Sequence, residues 1–402
     1  MRTLLLVGAL LLGGAGSFRA SATDVEIPSL RACPQSEDLR NWWWSRLSEK
    51  DALVKAGGSS VVFLGDSITH GWDVEGRTWW EKYFAGEPYR ALNLGFGGDR
   101  TEHVLWRIAH GQLDGYRARV IVLMIGTNNT GHRSLAEETP IDTILGIRAI
   151  LDALRERQPD AKVVLHPIFP RAATADSPLR RRNERVNRGI REFADGRRII
   201  WVDFNDQFLT VDGRLSAEVM PDRLHPGGIG REIWANALIP YLNYVLAGDG
   251  TLLIPSRFAP RIDASVTEAD GKLGVCSVPR TGERDWLKAL HAHRLAVLSA
   301  PTNGFETVWV GDRTAPLAEV GADDLDLQVV GDATQHVIWR LENGELEGYS
   351  AKRFVVRVGA HNSPFDQPPK GVENGLRKIR ELIAAKHPMA EIVVKSNWKK
   401  RK

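Results

Sequence analysis

The chain is poor in cysteine, with two in 402 residues, Cys33 and Cys276. A disulfide-dense scaffold is therefore excluded, and no Cys/His cluster has the spacing of a structural zinc site. Charge of one sign is also lacking: 53 basic residues stand against 50 acidic ones, a formal net charge of +3. That balance leaves no electrostatic footprint for nucleic acid, and the short runs RRR at 180–182 and KKRK at the C-terminus read as solvated surface. Long apolar runs are missing beyond the first residues. There, Arg2 precedes TLLLVGALLLGGAG, which ends before Ala20-Ser21-Ala22. A run that short does not comfortably span a bilayer, and the A-x-A triplet suits signal peptidase. The expectation is a signal peptide over 1–22 and an exported protein, periplasmic or extracellular.

What the chain does contain is a set of short, continuously apolar segments at 60–64, 91–94, 119–125, 161–168 and 198–204. Such runs are strands buried on both faces. Helical periodicity falls between them, at 142–157, 180–194 and 229–246. Alternating strands and helices imply right-handed crossovers and a parallel sheet covered on both sides. Ligands of such sheets bind beyond the carboxyl ends of the strands. Those ends carry Gly65-Asp66-Ser67, Gly95 to Thr101 (GFGGDRT) and Gly126-Thr127-Asn128-Asn129.

Acyl transfer by serine needs a nucleophile, a base, a group to orient the base, and donors for the oxyanion. Ser67 is the candidate nucleophile. PDRLHPGG, just ahead of the last helix, offers Asp222 and His225 three residues apart. One short segment can thus present both, with the carboxylate on Nδ1 and Nε2 left free for Ser67. Candidate oxyanion donors are the amides of Ser67 and Gly98 and the side chain of Asn128. Taken singly, G-D-S and G-G-D are common turns, and Asp222 is placed to cap the following helix. His70, His103 and His110 lack paired ligand spacing, so no metal is assigned. The tryptophans at 42–44, 72, 79 and 80 fit core packing better than a pocket wall.

The four blocks GDS, GFGGD, GTNN and DRLH, in that order, resemble those of the SGNH (GDSL-type) hydrolases. The longer wording NLGFGGDRTEHVLWRI and VLMIGTNN is similar to the catalytic subunits of the intracellular platelet-activating-factor acetylhydrolases. The resemblance implies a flavodoxin-like three-layer α/β/α sandwich. It also implies a Ser67, Asp222 and His225 triad, an oxyanion hole of Ser67, Gly98 and Asn128, and no metal or organic cofactor. The expected activity is hydrolysis of acetyl or other short acyl esters, with acetylated carbohydrate and lipid as candidate substrates. Amide or thioester hydrolysis on the same site is the alternative, and a non-catalytic secreted binding protein is the rival from another class.

The pattern then starts again. Residues 97–129 lie against 330–362 without gaps, with 15 of 33 positions identical, where unrelated segments share about two. In the copy, Arg313 stands for Ser67, Val330 for Gly97 and His361 for Asn128, while Gly331 matches Gly98. The chain ends before any equivalent of Asp222 and His225. An arginine that stays protonated is no nucleophile. The expected organisation is a catalytic domain over 23–248 and a catalytically inert, truncated α/β unit of the same type over 249–402. That unit either packs on the first or mediates a homodimer.

Overall fold

A computed structural model describes residues 27–247, 293–300, 303–311, 327–330, 334–358 and 369–394. The signal segment, Cys276, Arg313, Gly331 and His361 lie outside the described residues; Cys33 is a free thiol.

Five strands, β1 (Val61–Gly65), β2 (Leu92–Gly95), β3 (Val120–Met124), β4 (Lys162–Leu165) and β5 (Ile199–Trp201), form one sheet. Its order is β2-β1-β3-β4-β5, and every pairing is parallel. This is the flavodoxin-like order, with its crossing point at β1 and β3. Successive strand residues face opposite sides. Val62, Leu64, Ile121 and Leu123 join one apolar cluster with α4 (Thr101–Ala109), α6 (Pro140–Arg157) and α7 (Pro178–Ile190). Val61, Phe63, Val122 and Met124 join another with α3 (Arg77–Tyr83) and α8 (Gly228–Ala247). Two faces buried under helices explain why the strands carry no polar alternation. Each fully buried valine or leucine contributes roughly 1.5–3 kcal/mol.

β4 and β5 are shorter than their apolar runs. Ile168, Val202 and Phe204 remain buried, but in loops beyond the strand ends. Trp72, Trp80 and Trp234 pack with Phe63 and Phe84 in one aromatic cluster, so the core reading holds for Trp72 and Trp80, whereas Trp42 departs from it with 45% of its surface exposed.

A second parallel sheet is made by β6 (Phe305–Gly311), β7 (Leu327–Val330), β8 (Ala351–Arg357) and β9 (Glu391–Val394), in the order β7-β6-β8-β9. This matches the first sheet's β2-β1-β3-β4. Its helix Thr334–Arg340 sends Trp339 into the first unit's core.

Candidate active site

The chain leaves β1 at Gly65 and turns at once into the short helix α2 (Ser67–His70), with Asp66 as its cap. The Asp66 carboxylate accepts the amide of Ile68 at 3.0 Å. Ser67 thus sits at the first helical position, where a backbone amide has no acceptor within the helix. Burial raises the Asp66 carboxyl to about 7, and Asp99 adds to the shift.

His225 reaches this serine from 158 residues away. Its Nε2 lies 2.8 Å from Ser67 Oγ, and its Nδ1 lies 2.6 Å from Asp222 Oδ2. The other oxygen of Asp222 accepts the amides of His225 at 2.7 Å and Leu224 at 3.0 Å. Asp222 therefore folds its own segment around the imidazole, and α8 begins only at Gly228 without it. Burial works to raise the Asp222 carboxyl, but these bonds outweigh it and hold the group below the ordinary carboxylate range. A carboxylate on Nδ1 fixes that nitrogen as the donor and leaves Nε2 to accept from the serine. Arg223, between the two, has φ +61°, and its carbonyl accepts the amide of Ala172, itself at φ +63°. Left-handed backbone costs a non-glycine residue about 1–2 kcal/mol, so the two strained residues brace each other beside the histidine.

After β2, Gly98 adopts φ +78°. A Cβ there would also stand 3.3 Å from Gln35 Nε2. Asp99 anchors this turn from below. Its carboxylate accepts from Trp43 Nε1 and Gln35 Nε2, both at 2.9 Å, and pairs with buried Arg107 at 2.9 Å. Burial nonetheless raises its carboxyl to about 6. Asn128, in α5 (Thr127–His132), donates Nδ2 to the Asp99 carbonyl at 2.9 Å. One N–H of that amide is thereby used to orient the group.

A cleft of about 530 Å³ opens over Ser67 and His225, walled by Ile68, His70, Val74 and Arg231 among others. Sequence reasoning gave no role to His70 beyond an unsupported metal. In the structure its Nδ1 accepts the Gly97 amide at 3.2 Å, and Trp42 stacks on its ring with centroids 5.6 Å apart. Burial, reinforced by Arg46, lowers its pKa to about 4, so it is a neutral imidazole with Nε2–H as donor. His103 caps α4 by accepting the Arg100 amide, and His110 stacks on Trp106. Among the described residues no three His, Cys, Asp or Glu side chains converge as metal ligands.

A sequence model of the GDSL-like lipase/acylhydrolase family matches residues 63–233. Over 229 residues the chain is 38% identical to platelet-activating factor acetylhydrolase IB subunit alpha1 of Pongo abelii, across 56% of this chain and 93% of that protein. The chain belongs to the GDSL-like lipase/acylhydrolase family. Over 198 residues, the corresponding alpha2 subunit of Rattus norvegicus is 36% identical, with 48% of this chain and 82% of that protein covered. A solved GDSL-like lipase from Bacteroides thetaiotaomicron aligns at 18% identity and a TM-score of 0.41, over 50% of this chain and 97% of its own. As a GDSL-family member, the chain is an ester-hydrolysing enzyme.

Proposed function

We propose that the chain is an exported serine esterase that removes acetyl or other short acyl groups, with Ser67 as nucleophile, His225 as general base and Asp222 as its orienter. The observation that carries this reading is the unbroken relay from Ser67 Oγ through His225 to Asp222, at 2.8 and 2.6 Å. Ser67 Oγ attacks the ester carbon while His225 Nε2 takes its proton. The carbonyl oxygen becomes an oxyanion held by the amides of Ser67 and Gly98 and the other N–H of Asn128. Collapse expels the alcohol, which receives the proton from His225. Water, deprotonated by the same nitrogen, then releases the acid and restores Ser67.

A carbohydrate ester is favoured as the alcohol side by one feature. Trp42 is 45% exposed and stacks on the cleft-lining His70, which puts an exposed aromatic ring next to the cleft. Such faces suit sugar rings. A panel of p-nitrophenyl acetate, acetylated xylan, acetylated phospholipid and a thioester, run with wild type and Ser67→Ala, tests the reading. Ester turnover lost in the variant is expected; no ester turnover by wild type would sink it.

The second unit is, on our reading, an inert copy of the first. Support comes from the matching strand order and from the internal pairs Arg107 with Gln112 and Arg340 with Glu345, which occupy aligned positions.

A further inference from the structure

The second unit touches the first at a place that bears on catalysis. Arg294, in the helical segment 293–298, is buried, and its Nε donates to both oxygens of Asp142 at 3.0 and 2.9 Å. Its Nη2 donates to the carbonyls of Glu137 at 3.1 Å and Ala136 at 3.4 Å. From a different element, Gly344 at φ +108° packs so closely that a Cβ would stand 2.6 Å from Cβ of Thr139. Thr139 and Asp142 are the two halves of the capping box that starts α6. These two contacts thus converge on one helix start.

That helix start is linked to the oxyanion side of the site. Between its halves and the contacted carbonyls lies Glu138, a fully buried carboxylate. Its Oε1 accepts Asn129 Nδ2 at 2.8 Å, and Asn129 Oδ1 accepts the amide of Thr101 at 3.1 Å. Asn129 follows Asn128, and Thr101 closes the GFGGDRT turn that holds Gly98 and Asp99. The relay runs from Arg294 to the 136–142 segment, to Glu138, to Asn129, and so to the spacing between Asn128 and the glycine turn.

We infer that the inert second unit is a built-in positioning partner of the active site: through Arg294 and Gly344 it clamps the start of α6 and thereby holds Asn128 in register with the Gly98 turn. The inference rests on the oxyanion role proposed above for Asn128. Arg294 touches no reacting atom and acts only through this relay. An oxyanion donor displaced by a fraction of an ångström loses its grip on the transition state more than on the substrate. The signature is therefore a fall in kcat rather than a rise in KM.

The test uses the full-length protein. Arg294→Met combined with Asp142→Asn removes the clamp and leaves no buried orphan charge. Expected are a kcat on p-nitrophenyl acetate lower by about tenfold, KM within about twofold, and faster amide hydrogen exchange over 127–139. Glu138→Met removes the acceptor that holds Asn129 Nδ2 and gives the same pattern, and adding it to the clamp variant lowers kcat no further. Wild-type kcat in the folded clamp variant, or unchanged exchange over 127–139, overturns the inference. Activity surviving in Ser67→Ala would overturn the catalytic reading instead, and the exchange measurement would still decide the clamp.

Discussion

His225 Nε2 stands 2.8 Å from Ser67 Oγ, although 158 residues separate them. The two meet because β1 and the segment before α8 end at the same edge of the sheet. Ser67→Ala is expected to lower kcat by about six powers of ten, and His225→Gln by a similar amount. Since the pair acts as one unit, the double variant should be no slower than either single one. Steady-state hydrolysis of p-nitrophenyl acetate, with circular dichroism to confirm folding, checks this. Additive losses would argue that the two residues do not share a step.

Asp222 has two tasks that a single substitution separates. Asn at 222 can still accept the amides of Leu224 and His225, so the loop keeps its shape. It no longer offers a charge to Nδ1 and permits the wrong tautomer. Asp222→Asn should therefore lower kcat by about four powers of ten with little change in melting temperature. A large melting shift would mean that the carboxylate serves the loop more than the histidine.

For Asn128, removal of one preorganised donor predicts a fall of about two to three powers of ten in kcat with KM nearly constant. Asn128→Ala also frees the Asp99 carbonyl from its 2.9 Å bond. If binding of substrate weakened instead of turnover, the side chain would be a ground-state contact.

Much of this was legible in the sequence because the signals are local. Continuous apolar runs mark strands buried on both faces, and Ser67, Gly98 and Asn128 follow within a few residues of the ends of β1, β2 and β3. Other features leave no local trace. Ile168 and Phe204 read as strand because burial alone shapes their choice, yet they pack in loops. Ala172 and Arg223 adopt left-handed backbone without being glycine, so nothing in their identity announces it. The ion pair of Asp142 and Arg294 joins positions 152 apart, and neither residue type at such a distance singles out the other. His70 could be placed only once Gly97 and Trp42 were seen against its ring.

Trp339 belongs to the second unit by sequence and to the first unit's core by packing. It is 1% exposed, and the edge of its indole lies near Gly189 of α7. Trp339→Ala should destabilise by about 3–5 kcal/mol, and the loss should appear in unfolding of the catalytic unit. Denaturant unfolding followed by loss of esterase activity measures it. A transition in which activity survives to the wild-type midpoint would show that the two units unfold independently.

A pH dependence of stability should come from His166, which follows β4 and is buried. Its Nδ1 donates to the Val202 carbonyl at 2.8 Å, and its Nε2 accepts from Trp234 Nε1 at 3.1 Å. Both nitrogens are satisfied only in the neutral ring, and protonation would set a second N–H against the indole donor. Burial lowers its pKa from 6.5 to about 4. Because the folded value lies below the unfolded one, the unfolded chain binds the proton first as the pH falls. Stability is full above 6.5 and is lost as the pH drops from there through 4, by about 3 kcal/mol in all. His166→Gln keeps a donor and an acceptor but cannot titrate. The difference in unfolding free energy between wild type and this variant should therefore shrink by about that amount between pH 7 and pH 4. Urea titrations at the two pH values measure it, and a difference that stays constant would mean that the buried imidazole accepts its proton without losing the Trp234 bond.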